Sequence, residues 1–134
     1  DFTLGQLNYK RKGRKVVDLG GFGYVYRPQG CCMMLKLDVV DAVGYMDETT
    51  FLYCEEFILA ERMHSLGYKC ACCLNASIIH NHSKVVKSNI KLKKIISISN
   101  ESFAYYLKKY RRFNALFVKI CCVFNGLKIK VLEG

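Results

Sequence analysis

The sequence predicts an α/β domain over residues 1–83, followed over residues 84–134 by a basic amphipathic helical tail. Three observations predict it. Ile58, Leu59, Met63 and Leu66 recur at helical spacing between Glu55 and Gly67. Short apolar runs of strand length, Cys31–Leu37, Lys69–Leu74 and Ser77–His80, flank that segment. The charge is also partitioned. Residues 1–83 hold nine Lys/Arg against nine Asp/Glu, whereas residues 84–134 hold twelve against two, so the tail carries all of the formal net charge of +10.

Composition narrows the function classes. A chain of 134 residues that is 51% hydrophobic and 24% charged is globular rather than disordered. It opens at Asp1 with no signal-like leader, which is expected of a piece of a larger protein. The basic balance would suit a nucleic-acid binder, but no nucleic-acid-binding motif accompanies it. Eight cysteines stand partly as adjacent pairs, Cys31-Cys32, Cys72-Cys73 and Cys121-Cys122. Adjacent pairs make a poor staple framework, so reduced, mostly buried thiols in a cytoplasmic protein are expected.

Taken in order, residues 1–15 are a polar lead-in ending in basic residues. Val16–Tyr26 is apolar and broken by Gly20, Gly21 and Gly23, which implies tight turns. Cys31–Leu37 reads as a buried strand. Asp38 then caps a short helix over Val39–Val43 that Gly44 stops. The main helix follows, with Glu55 and Glu56 in its first turn, where carboxylates suit the positive end of the helix dipole. Lys69–Leu74 and Ser77–His80 are expected to pair through Asn75-Ala76. In the tail, Phe103, Tyr106, Leu107 and Tyr110 form one helical face, with Lys108, Lys109, Arg111 and Arg112 around the other.

The chemistry-bearing stretch runs from Gly30 to Ser83. It contains Gly30-Cys31-Cys32-Met33-Met34, Gly44-Tyr45-Met46-Asp47-Glu48 and Phe51-Leu52-Tyr53-Cys54-Glu55-Glu56. Glu61-Arg62, Gly67-Tyr68 and Ile79-His80-Asn81-His82-Ser83 complete it. In order and spacing, residues 28–112 resemble the C-terminal half of inverting family 2 glycosyltransferases, especially those that build bacterial surface polysaccharides. The resemblance implies the acceptor-side half of a GT-A nucleotide-diphospho-sugar transferase fold. The nucleotide-sugar donor would bind mainly in another half, and the acceptor would be a saccharide or a lipid-linked sugar. No Asp-x-Asp occurs among the 134 residues, so this stretch alone is expected to be inactive.

Inverting transfer needs one base to take the acceptor hydroxyl proton. The resemblance implies Glu56 in that role, with Glu55 orienting the loop or binding the acceptor. The plainer reading is that both simply favour the helix start. Asp47 and Glu48 are candidate acceptor-binding residues or plain turn residues, and Gly30 is a candidate substrate-binding position. His80, or His82, would complete a Mn²⁺ or Mg²⁺ site that neutralises the diphosphate leaving group. A zinc site from Cys70, Cys73, His80 and His82 is the soft-ligand alternative, at spacings that match no usual pattern.

The tail has no apolar run of the ~18–20 residues needed to cross a bilayer. Its basic and aromatic faces suit the surface of an anionic membrane instead, which implies peripheral attachment at the inner face of the cell membrane. A packed helix pair is the alternative, and a non-catalytic membrane-surface or interaction module is the rival for the whole chain.

Overall fold

In the computed structural model, residues 16–79 and 90–133 are described. They form β1 (Phe22–Val25), α1 (Leu37–Val43), α2 (Glu55–Ser65), β2 (Cys70–Cys73), α3 (Leu92–Lys109) and α4 (Ala115–Glu133). Helices therefore dominate, beside one two-stranded sheet.

Helix α2 is the centre of the molecule. Ile58 and Ala60 are fully buried and Leu59 nearly so. Leu59, Ala60 and Met63 pack with Val43 of α1 and Cys70 of β2. Ile58 turns the other way, into a second cluster with Cys54, Tyr106, Leu107 and Val118. Two apolar faces on one helix, each worth about 1.5–3 kcal/mol per buried large side chain, hold the layers together. Gly67, at φ +80°, ends the helix as expected, with the Tyr68 N–H donating back to Met63 O at 2.9 Å.

Strands β1 and β2 pair antiparallel, with Phe22 opposite Cys73 and Val25 opposite Cys70. This corrects the expected pairing. Ser77–Ile79 forms no strand, and His80 lies outside the described residues. Cys31–Leu37 is likewise not a buried strand: Met34 and Leu37 are largely exposed, and among the described residues no strand lies beside the run to accept it. Helix α1 begins at Leu37, with Lys36 as its first flanking residue, so Asp38 sits in the first turn instead of capping it. Gly44 does close it, at φ +74°.

Helices α3 and α4 form an antiparallel pair joined by a short turn over residues 110–114. Ile95, Ser99, Ser102 and Tyr106 are the buried stripe of α3. Asn125 of α4 donates to Ser99 Oγ at 3.1 Å and Asn100 Oδ1 at 2.9 Å. A Cβ on Gly126 would stand 3.3 Å from Ile96 Cγ2, so the backbones approach closely there. Asn114 Oδ1 accepts from the Phe117 N–H at 2.9 Å and caps α4. The boundary expected after residue 83 falls outside the described residues. On either side of it, α2 and α3 share one core.

Candidate functional site at the first turn of the central helix

Arg62 of α2 organises the segment that leads to the site. Its Nη1 donates to Gly44 O at 3.3 Å and Tyr45 O at 3.0 Å, and its Nη2 reaches Asp47 Oδ2 at 2.9 Å. Two stretches singled out in the sequence, Gly44–Glu48 and Glu61-Arg62, are thus one physical unit. The planar guanidinium holds the turn by its carbonyls and its carboxylate at once.

Asp47 is the buried end of that unit, its side chain only 4% exposed. Oδ2 also accepts from Tyr110 at 2.6 Å and Tyr105 at 2.9 Å, with Lys109 Nζ at 3.5 Å. Oδ1 accepts the Thr49 N–H at 3.0 Å. Burial alone would push this carboxyl up. The hydrogen bonds from Tyr110, Thr49 and Tyr105 outweigh it and hold Asp47 well below the usual carboxylate range. Its oxygens are occupied by the chain's own donors, so in this structure Asp47 ties α2 to α3. Glu48, next to it, is exposed on the turn.

A second carboxylate does the same on α2 itself, one residue before Arg62. Glu61 Oε1 accepts from the Tyr26 hydroxyl, from Tyr106 at 2.9 Å and from Arg111 Nη1 at 2.9 Å. Burial works upward here too and is outweighed by the Tyr26, Arg111 and Tyr106 contacts, so the Glu61 carboxyl is lowered. Composition gave no sign of either carboxylate node; the pairing of an acidic turn with Arg62 was the available signal for the first.

The approach to α2 is bent. Tyr53 and Cys54 both adopt left-handed backbone, at φ +71° and +69°, at a cost of about 1 kcal/mol each for residues with a Cβ. Cys54 is buried, and Ser102 of α3 donates to Leu52 O at 2.7 Å, which fixes the bend against the tail. Glu55 and Glu56 follow at once as the first turn. Sequence has no mark for this conformation, since neither residue is glycine.

The two glutamates then differ. Glu55 is half-buried, and burial raises its pKa, with the Glu56 charge adding to it against backbone hydrogen bonds. The Glu56 Oε1 accepts the Gly30 N–H at 3.0 Å. A Cβ at residue 30 would lie 2.3 Å from that oxygen, so Gly30 is small because the carboxylate rests against it. Arg27, in the same loop, stacks over the Phe57 ring at 4.2 Å and pins the loop to α2. Gly30 and Glu56, both anticipated as site residues, therefore meet. Cys54 is no nucleophile: burial, then the charges of Glu55 and Glu56, push its thiol up to about 12, so it stays protonated.

His80 and His82, the expected Mn²⁺ or Mg²⁺ ligands, lie outside the described residues, and with them the expected convergence of His80 and Glu56. Among the described residues no group of three or more His, Cys, Asp or Glu side chains stands together to hold a metal. For the zinc alternative, Cys70 is buried with its thiol raised by that burial, while Cys73 is exposed. The Cys70 thiol is directed to the Met63 sulfur at 3.9 Å.

The basic face expected to meet lipid is also repositioned. Tyr106 and Leu107 are buried, and Phe103 and Tyr110 pack against the same cluster. Lys109 and Arg111 bond Asp47 and Glu61. Those aromatics face α2, because their rings complete its second core. No described helix is long and apolar enough to cross a membrane.

No protein-family model matches the chain, and no curated protein or solved structure matches it either.

Proposed function

We propose that the chain is the acceptor-side part of an inverting glycosyltransferase that transfers a sugar from a nucleotide-sugar donor to a saccharide or lipid-linked acceptor, with Glu56 as the base. One observation carries the reading. The Glu56 carboxylate sits on the half-exposed first turn of α2, oriented through Oε1 by the Gly30 N–H. Among the described residues no hydrogen bond reaches Oε2, so that oxygen is placed to take the proton of the acceptor hydroxyl as the hydroxyl oxygen attacks the anomeric carbon and the nucleoside diphosphate departs. A loop N–H that fixes the carboxylate rotamer is the kind of positioning such a transfer needs. Glu55, half-buried beside it, supports the loop. The sheet lends further support: Phe22 and Tyr24 of β1 are exposed, an unfinished surface that strands of a donor-binding part would cover.

A divalent cation held in part by His80 or His82 belongs to the same proposal, as the partner of the diphosphate leaving group. The proton transfer at Glu56 does not depend on it. Action at the inner face of a cell membrane completes the reading.

The test is sugar transfer by the protein at its native length, from a panel of radiolabelled nucleotide-diphospho-sugars to extracted membrane acceptors. Glu56→Gln is expected to lower turnover by about 10²–10⁴-fold with donor affinity nearly kept. Undiminished turnover in that variant would remove Glu56 from the role. The rival, a non-catalytic membrane-surface module, draws on the outer face of α4; it would be favoured by absence of both transfer and donor binding in the wild type.

A further inference from the structure

Helix α4 has two apolar faces, and only one of them is used. Val118, Cys121, Cys122 and Asn125 point toward α3. On the opposite side Leu116, Phe117, Ile120, Val123, Phe124 and Leu127 are all exposed, from 44% at Phe117 to 71% at Leu116. At 3.6 residues per turn these six fall within an arc of about 120°. A stripe of that kind on a surface helix marks a contact.

The borders of the stripe say what the contact is. Lys119 and Lys130 lie along one edge and Lys128 along the other, all exposed. No acidic residue lies on α4 before Glu133. Beyond the stripe, where α3 begins, Lys91, Lys93 and Lys94 share a shallow depression with Ser97, Ile98 and Glu101, a mixed-charge surface that is not part of the stripe's border. A protein partner could bury the apolar stripe, but it would need acidic patches along both edges. A bilayer surface supplies that arrangement without further design: acyl chains below the stripe and anionic headgroups along both borders, reached by lysine stems. The helix is not long and apolar enough to cross the bilayer, so it would lie along it.

We propose that the outer face of α4 is a lipid-docking surface that seats the chain on an anionic membrane, with Phe117 and Phe124 entering the acyl boundary and Lys119, Lys128 and Lys130 meeting headgroup phosphates. This refines the membrane part of the proposed function and is independent of sugar transfer. It also moves the contact from the face of α3, whose aromatics are used by the core, to α4.

The test is co-sedimentation of the full chain with phosphatidylcholine vesicles, with and without about 30% phosphatidylserine. The wild type is expected to bind the anionic vesicles and to be released by salt. Phe117→Ser with Phe124→Ser is expected to weaken binding about tenfold or more. Both rings are exposed, so the far-UV circular dichroism of this variant should match the wild type. Lys119→Gln, Lys128→Gln and Lys130→Gln together are expected to remove the preference for anionic lipid. Failure of the wild type to bind, or unchanged binding by the double Phe variant, overturns the proposal. So does light scattering that shows a dimer of the free chain dissolved by the same variant, which would assign the stripe to a second copy.

Discussion

Asp47 and Glu56 are two acidic residues nine positions apart that came from the same stretch of sequence, and the structure puts them to opposite uses. Asp47 is buried under donors from α2, α3 and its own turn. Glu56 stands on a helix start with one main-chain contact from a loop. A carboxylate saturated by its own chain can position other groups but cannot accept a substrate proton without breaking the fold. A carboxylate held by one oxygen can do both. The difference lies in neighbours supplied from far along the chain, Tyr105 and Tyr110 above all, and not in local sequence.

The largest effect expected outside catalysis comes from exchanging that saturation for a neutral group. Asp47→Asn places an amide NH₂ among donors and leaves Arg62 without its charge partner. A loss of about 3 kcal/mol in unfolding free energy by urea titration is expected. A change under about 0.5 kcal/mol, the range of ordinary surface substitutions, would show that the node does not hold α3 to α2. Glu56→Gln should sit in that small range, which is how the two carboxylates are told apart.

Acid should reveal the same contrast. The Asp47 and Glu61 carboxyls are lowered in the folded chain. Their contribution is therefore complete above the unfolded value, near 4, and is lost as pH falls through the folded one. Denaturant midpoints measured downward from about pH 5 should fall in the wild type, and more gently in Asp47→Asn. Equal slopes in the two proteins would contradict the assignment.

Gly30→Ala is expected to act most gently on stability and selectively on the site. The methyl group would displace a flexible carboxylate end and not backbone. Unfolding free energy should change by less than about 1 kcal/mol, while turnover of the native-length protein falls about tenfold through misplacement of Glu56. Full turnover in this variant would separate Gly30 from the base.

Where the sequence was legible, the reason was local. Helix α2 was expected over Glu55–Leu66 and runs over Glu55–Ser65, because apolar spacing and Gly67 are both written in the segment itself. The same holds for Gly44 at the end of α1. Cys31–Leu37 was misread because an apolar run looks the same whether or not a strand lies beside it. Strand β2 was found, but its partner was not: β1 comes from far earlier in the chain, and no turn signal points to it. Of the site, Gly30 and Glu56 were both named, yet the hydrogen bond joining them was not foreseeable. The left-handed pair Tyr53-Cys54 carries no sequence mark at all. The tail aromatics were seen to share a face, and that face turned inward because Ile58 and Cys54 offered it a core.

The double-sided burial of α2 has a consequence for how this chain can vary. Leu59 and Met63 answer to α1 and the sheet, while Ile58 answers to α3 and α4. A volume change at Leu59 or Met63 is felt in one cluster, and a change at Ile58 in the other. Drift should therefore be slowest along α2 and fastest at Met34, Leu37 and Ile79, whose side chains touch little. The first turn that carries Glu56 inherits this conservatism from its neighbours, whatever chemistry selection asks of it.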